Sequence, residues 1–534
     1  MNRPPSNIQP AAAGESKQQR LWRNGEDYIT RKQWREAADC FEQIVAHEPG
    51  HLPALLKSCS TLLQLDRYRD ARARLFAALP LANAHPGLVM ELGRKLRQFH
   101  EAAILLDLVR HSGFLRSASP PMLTEMALIV SSVGDQEMAL ELVSRAAALD
   151  PNAAHPHYLR GTVLMFLGRM EEAETELETC IRISPSFPQA HWVLSRLRKW
   201  SDADNHVERL QREIARVPAG TEAEAYFAYA LHNELHDLKR YEESFRALER
   251  GCAAKRKLDP YNESKTTELF AAIKALCTPE FVRAQPREHE YTPIFIVGMH
   301  RSGTTLLERI LGGHSLVSDG GETYAFTAQI KVATDHKCSQ ALDLLSVQRL
   351  AEADFEAIGR GFIAGSRWRA KGKPFLTEKL PPNLTNAGFI AKALPNARIL
   401  HMVRDPVDTC FSNLRTYFSN AALYSFDQTD LGNYFGHYSG LMQHWRQVMP
   451  DRILDVSYDA LVSDTEATAR RVFEFCGLPY EAEALQVERS SGAVSTASSA
   501  SVRQGILTNR GAAWKPYEPY LQPLLERLAA QGLI

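Results

Sequence analysis

Small and large apolar residues recur along the first 200 or so residues with a period of 34. Ala37 and Ala71 stand one period apart, as do Ala139 and Ala173. Around the second pair the match extends to Ala127/Gly161, Val130/Leu164, Ala146/Cys180 and Pro151/Pro185. The first unit carries the same pattern in Leu21, Gly25, Tyr28, Ala37, Phe41 and Pro49. Small residues where two helices cross, large ones between them and a proline closing each unit are what stacked helical hairpins require. A fixed recurrence argues against a plain bundle. Units near 18–51, 52–85, 120–153 and 154–187 fit, and 86–119, with Glu101, Ala102, Ala103, Ile104 and Leu105, fits loosely as a degenerate unit. Helical patterning continues from about 201 to 285 through Tyr226, Ala230, Leu231, Tyr241, Phe245 and Leu248. The basic run Lys255-Arg256-Lys257 within it reads as a solvated face.

At Thr292 the pattern changes. Ile294–Val297, Phe375–Thr377, Arg398–Val403 and Ile453–Val456 are short apolar runs between long helical stretches. That alternation predicts a parallel sheet with helices on both faces, a three-layer α/β domain. Ligands of such sheets sit at the carboxyl ends of the strands, where this chain places its polar clusters. Gly298-Met299-His300-Arg301-Ser302-Gly303-Thr304-Thr305 follows the first run, and Leu306, Leu307, Ile310 and Leu311 begin a helical pattern directly after it. Strand, tight loop and helix start in that order form a phosphate cradle, in which loop amides and the positive end of the helix dipole face an anion. Arg301 and the hydroxyls of Ser302, Thr304 and Thr305 add donors. The spacing from Gly298 to Gly303 is that of a Walker A loop, but Thr304 holds the lysine position, which disfavours an ordinary nucleotide triphosphatase, kinase or GTPase. Four further clusters lie at or near strand ends: Asp319-Gly320-Gly321-Glu322-Thr323, Glu378-Lys379-Leu380-Pro381-Pro382-Asn383, Val403-Arg404-Asp405-Pro406 with Ser412 and Arg415 beyond it, and Val456-Ser457-Tyr458-Asp459-Ala460-Leu461.

Composition narrows the class. At 534 residues the chain is too long for one core, and the expected division is a leader over 1–17, a repeat solenoid over 18–200, a helical connector over 201–291 and the α/β domain over 292–534. The formal net charge of −1 gives no electrostatic reason to expect nucleic acid or an anionic membrane as the main partner. No apolar run approaches the ~20 residues of a membrane span. The polar segment from Met1 to Lys17 lacks a signal core and reads as a disordered leader. Eight scattered cysteines with no CxxC pair suit a reducing cytoplasm, with neither a disulfide framework nor a zinc site.

The repeat units resemble the tetratricopeptide repeat, whose stacked helices present a concave groove to extended peptides or partner proteins. The groove equally suits a homodimer surface. The second half resembles the PAPS-dependent sulfotransferases, particularly the tyrosylprotein enzymes, over about 292 to 515. The loop from His300 to Thr305 matches that family's 5′-phosphosulfate loop, Arg404-Asp405-Pro406 with Ser412 its 3′-phosphate motif, and Tyr458-Asp459-Ala460-Leu461 its YExL segment. Glu322 stands at the family's spacing from the loop arginine, and Lys379 falls where it has its catalytic lysine. With the repeats in front, the whole chain is similar to bacterial tetratricopeptide-repeat sulfotransferases.

The resemblance implies sulfuryl transfer from PAPS to a hydroxyl, leaving PAP and needing no resident metal. Glu322 is the expected general base, and Lys379 and Arg301 neutralise charge on the leaving phosphate and the sulfuryl oxygens. Arg301, Ser302, Gly303, Thr304 and Thr305 are expected to bind the donor's 5′ side. Arg404 and Ser412, with Tyr458 and a tail loop near Ser498 and Arg503, are expected on the 3′ side. Two departures stand out: Gly321 replaces the first of two consecutive glutamates, and Ala513 precedes Trp514 where the tyrosylprotein enzymes have a basic residue, a role left to Arg503 or Arg510. The acceptor expected first is a protein tyrosine or another phenol, with a carbohydrate, lipid or small metabolite as alternatives. A scaffold whose transferase fold has lost activity is a further alternative. In isolation Glu322 reads as a helix cap, Lys379 as a solvated charge and Arg404-Asp405 as a surface pair; their joint order behind the loop is what favours a site. For His300 and His314 packing or helix-end roles are expected before acid-base work.

Overall fold

The 34-residue period becomes helical hairpins because the residue joining each helix pair turns left-handed. Lys32, Asp66, His100, Gly134 and Gly168 stand one period apart, and all have φ between 56° and 95°. They join Lys17–Thr30 to Trp34–His47, Leu52–Gln64 to Tyr68–Ala78, Pro86–Gln98 to Ala102–His111, Pro120–Ser132 to Gln136–Leu149, and Ala154–Leu167 to Met170–Ile183. The third hairpin occupies the stretch that fits the period loosely. Where the two helices of a hairpin cross, Ala37, Ala71, Ala139 and Ala173 are wholly buried. Nothing larger fits there: a Cβ on Gly161 would come within 2.7 Å of Leu177. The first helix starts at Lys17 behind a capping box in which Ser16 and Gln19 exchange side-chain and backbone bonds.

The computed structural model describes residues 15–83, 85–285, 287–338, 340–487 and 512–534. These cluster into two units. In the first, the hairpins up to Ala118 pack with an arm that comes from far along the chain, Thr327–Cys338. His336 Nδ1 lies 2.6 Å from an Asp66 carboxylate oxygen, and the Lys337 amide donates to Asp66 at 2.9 Å. Asp335 accepts the Arg69 amide at 2.7 Å, and Lys331 Nζ lies 3.2 Å from His100 Nε2. Asp66 and His100 are two of the left-handed turn residues, so the arm grips the row of hairpin turns.

The second unit holds the fourth and fifth hairpins, the helices Val207–Arg216, Glu222–Asp237, Tyr241–Leu258 and Glu263–Leu276, and the sheet. The basic run is a solvated face at Arg256 and Lys257 but not at Lys255. Lys255 is buried, donating to Asp259 at 2.6 Å and Asn420 at 2.7 Å, and Arg256 pairs with Asp427 at 2.6 Å. The helix they lie on packs its Cys252 face inward, so the lysine stem is covered and its ammonium is satisfied by partners instead of water.

Among the described residues five strands form one wholly parallel sheet: β1 (Thr292–Gly298), β2 (Val317–Ser318), β3 (Phe375–Glu378), β4 (Arg398–Val403) and β5 (Ile453–Ser457), in the order β2-β3-β1-β4-β5. Ile294 of β1 aligns with Thr377 of β3 and Arg398 of β4. One face buries Ile294, Ile296, Leu400, Met402 and Val456 against Leu307, Ile310 and Phe473. On the other, Phe295 meets Phe326 and Phe362. Both faces are covered, giving the three layers the alternating pattern predicts. Strand β2 was not among the predicted runs, since two residues carry no readable period.

Candidate functional site

The site grows from the carboxyl end of β1, the central strand. Gly298 and Gly303 bound the loop, with φ of 151° and 107°, and both are pressed from behind. A Cβ at Gly298 would lie 2.8 Å from the Met402 carbonyl, and one at Gly303 would lie 2.4 Å from the Tyr458 ring. Arg301 is itself left-handed, at φ 65°. The helix Thr304–Gly312 then begins without a side-chain cap, so its first amides face the loop's concavity with no side-chain acceptor. Ser302, Thr304 and Thr305 are buried there, and the Ser302 hydroxyl has no hydrogen-bond partner among the described residues. A buried orphan hydroxyl beside uncapped amides and a close-packed glycine pair is a donor set shaped for an anion.

The neighbouring strands bring the other predicted residues to this loop. From β4 and the helix Pro406–Leu414, Ser412 Oγ accepts from Arg301 Nε at 3.2 Å, and Arg404 Nη1 donates to the Arg301 carbonyl at 3.3 Å. The Arg404 guanidinium stacks 4.6 Å over the Tyr458 ring, which presents the first turn after β5. Among the described residues Asp405 forms no salt bridge; it caps the helix by accepting the Asp408 amide at 2.8 Å. Asp408 lies 3.9 Å from Arg404 and accepts the Ala512 amide at 2.8 Å, so the chain returns beside Arg404 just before Trp514. Ser498, Arg503 and Arg510 lie outside the described residues.

At the ends of β2 and β3 sits the second group. Lys379 is fully buried, and its ammonium donates to Glu322 Oε1. Burial opposes the lysine's charge, but the surrounding carboxyl groups, Glu322 foremost with Glu308 and Asp319, together outweigh it and hold the pKa above the ordinary value. The Lys379 amide also donates to the Gly321 carbonyl at 3.0 Å, tying the two loops together. Glu378, one residue earlier, is buried beneath them; it accepts from Thr323 Oγ1 at 2.8 Å and Asn383 Nδ2 at 3.1 Å, and burial pushes its pKa up to about 7.

Several members of the site escape a reading of the sequence. His300 packs on Phe418 and lies 3.0 Å from the Tyr424 hydroxyl, its carbonyl accepts from Asn413 at 2.7 Å, and burial lowers its pKa to about 4. It is a packing residue, as is His314, which is wholly buried against Phe473. Behind the loop, half-exposed Asp455, buried His401 and the Tyr438 hydroxyl form a chain with links of 2.7 and 2.5 Å. Its one legible signal is polar residues inside β-strands that should be apolar on both faces. Among the described residues no group of His, Cys, Asp and Glu is arranged to hold a metal ion, and no helix is long and apolar enough to cross a membrane. The eight cysteines are all free and buried.

Residues 293–482 match the sulfotransferase family, and residues 28–87 and 154–187 match tetratricopeptide repeats. An uncharacterised protein of Aquifex aeolicus (strain VF5) is 30% identical over 68% of this chain and 49% of its own length. A protein-tyrosine sulfotransferase of Drosophila melanogaster is 26% identical over 43% of this chain and 47% of its own. Protein-tyrosine sulfotransferase A of Caenorhabditis elegans is 28% identical over 37% and 53%. The chain spans about half the length of these curated relatives. It joins regions that match tetratricopeptide repeats to a region that matches the sulfotransferase family.

Proposed function

We propose that the chain transfers a sulfuryl group from PAPS to a hydroxyl acceptor, first of all a protein tyrosine or another phenol. The observation that carries this reading is the convergence of an uncapped, close-packed anion loop with the Lys379–Glu322 pair at the ends of adjacent strands. The fit to the donor rests on the residues themselves. The orphan Ser302 hydroxyl, the first amides of the helix and Arg301 suit the 5′-phosphosulfate. Arg404, Ser412 and Tyr458 offer a separate donor set for a 3′-phosphate. When bound, the donor supplies an activated sulfuryl group.

Glu322 takes the proton from the acceptor hydroxyl, and its contact with the Lys379 ammonium holds it at the site for that task. Lys379 and Arg301 place positive charge where negative charge gathers on the departing phosphate. Thr304 in the lysine position of a Walker A loop weighs against triphosphate chemistry. The preference for tyrosine rests on the likeness to the two protein-tyrosine sulfotransferases, and the repeats supply a surface of a kind that holds peptides. Buried, free cysteines are in keeping with a reducing compartment.

Calorimetry with PAP, and incubation of the protein with radiolabelled PAPS and cell lysate, test this. PAP should bind without magnesium, and label should enter a protein band that resists glycosidases. Tighter uptake of ATP with magnesium than of PAP would replace the reading with a kinase. Label confined to glycan or lipid would change the acceptor, and no label with PAP still bound would indicate a scaffold.

A further inference from the structure

Beneath the Lys379–Glu322 pair lies a carboxyl group that no motif assigns. Glu308 sits one turn into the helix that follows the anion loop, flanked by the apolar Leu306, Leu307, Ile310 and Leu311, and it points inward: it is 5% exposed. Its Oε1 accepts the Gly321 amide at 3.2 Å and faces the Thr377 hydroxyl at 3.5 Å. Its Oε2 lies 3.9 Å from the Lys379 ammonium. Gly321 is bracketed on its other side, since its carbonyl accepts the Lys379 amide. The glycine before it has no slack: Gly320 donates to Thr377 at 3.1 Å, and a Cβ there would meet the Thr377 carbonyl at 2.0 Å. The backbone that delivers Glu322 is therefore fixed at successive residues, and at Gly321 the fixing side chains are Glu308 and Asp319, whose Oδ1 also accepts the Gly321 amide at 3.1 Å.

We infer that Glu308 is a positioning residue of the transfer site, aiming Glu322 at Lys379 by holding the Gly321 amide together with Asp319 and by standing under the Lys379 ammonium. This deepens the sulfotransferase reading and rests on it for its kinetic consequences. A neutral carboxyl is what the surroundings dictate. Burial, the nearby Asp319, with which it shares a hydrogen bond, and Glu322 hold its proton well above the usual carboxylate range; Lys379 acts against this, and Arg309 and Arg369 are the other charges facing it. Were Glu308 ionised, Lys379 would be divided between two carboxylates, and Glu322 would lose its exclusive partner.

The test uses the full chain and two variants, Glu308→Met, which keeps length but removes the acceptor, and Glu308→Gln, which keeps a neutral acceptor. Hydrogen–deuterium exchange over residues 318–324 reads positioning without any turnover. Exchange there should speed up about tenfold or more in Glu308→Met and return close to the wild-type rate in Glu308→Gln. In PAPS-dependent assays Glu308→Met should lower kcat by about 10- to 100-fold, with KM for the donor changed by less than about threefold, and Glu308→Gln should recover most of that loss. Glu308→Gln should also hold its rate to higher pH than the wild type, because it cannot ionise. Unchanged exchange in Glu308→Met, or a glutamine variant as impaired as the methionine one, overturns the inference. If Glu308→Met does not fold, a glutamine pH profile superimposable on the wild type's overturns it instead. Absence of PAP binding by the wild type sinks the sulfotransferase reading and leaves the exchange result to judge Glu308.

Discussion

At the scale of single residues, the charges around the loop divide into those that hold and those that react. Glu322→Gln and Lys379→Ala should each lower kcat by about 100-fold or more, the usual size of a lost general base or charge-offsetting group. Glu322→Gln should change PAP affinity by less than about threefold in calorimetry, because Glu322 belongs to neither the anion loop nor the Arg404 group, whereas Lys379→Ala should also weaken PAP binding, since Lys379 faces the departing phosphate. Arg404→Ala should do the reverse of Glu322→Gln. A charge-assisted contact is worth about 1.5–3 kcal/mol, so PAP binding should weaken by about 10- to 100-fold. Glu378 makes a pH prediction. Burial raises its folded pKa to about 7 from an ordinary 4.5, so the neutral acid favours the native state at low pH. That contribution is full below the unfolded pKa and is lost as pH rises through the folded one. Thermal unfolding followed from pH 5 to pH 8 should show a falling midpoint for the wild type and a flatter one for Glu378→Gln.

At the scale of elements, the loop is a backbone device, and its glycines are where it breaks. Gly303→Ala combines a φ of 107° with a Cβ 2.4 Å from the Tyr458 ring. It should cost about 1–3 kcal/mol of stability and disturb PAP binding, both measurable by thermal shift with and without PAP. Elements of this kind were readable in the sequence. The hairpin turns follow the period, the four longer strands lie within a residue or two of their apolar runs, and the loop is spelled out by its glycines. What could not be read is what tertiary burial decides. Strand β2 is too short to show alternation. Glu308 and Lys255 are charges that a helical pattern assigns to solvent, yet both are buried. Arg404 and Asp405 look like a pair side by side, but one stacks on Tyr458 and the other caps a helix.

At the scale of the molecule, the connector is part of the unit that holds the sheet. Tyr229 is buried and donates to the Leu414 carbonyl at 3.0 Å, and Arg415 Nη1 lies 3.1 Å from His236. A fragment starting at residue 292 would strand these groups and bare the apolar faces around them, so it should be insoluble or bind hydrophobic dyes strongly, where the full chain does neither.

The arm of residues 327–338 has a consequence for how the chain is made. His336 and Asp66 are 270 residues apart in sequence. At ~5–20 residues per second of synthesis, Asp66 emerges from the ribosome on the order of 15–50 s before its partner exists. During that interval the earliest hairpins wait with two of their turns ungripped, a window in which a holdase would find them.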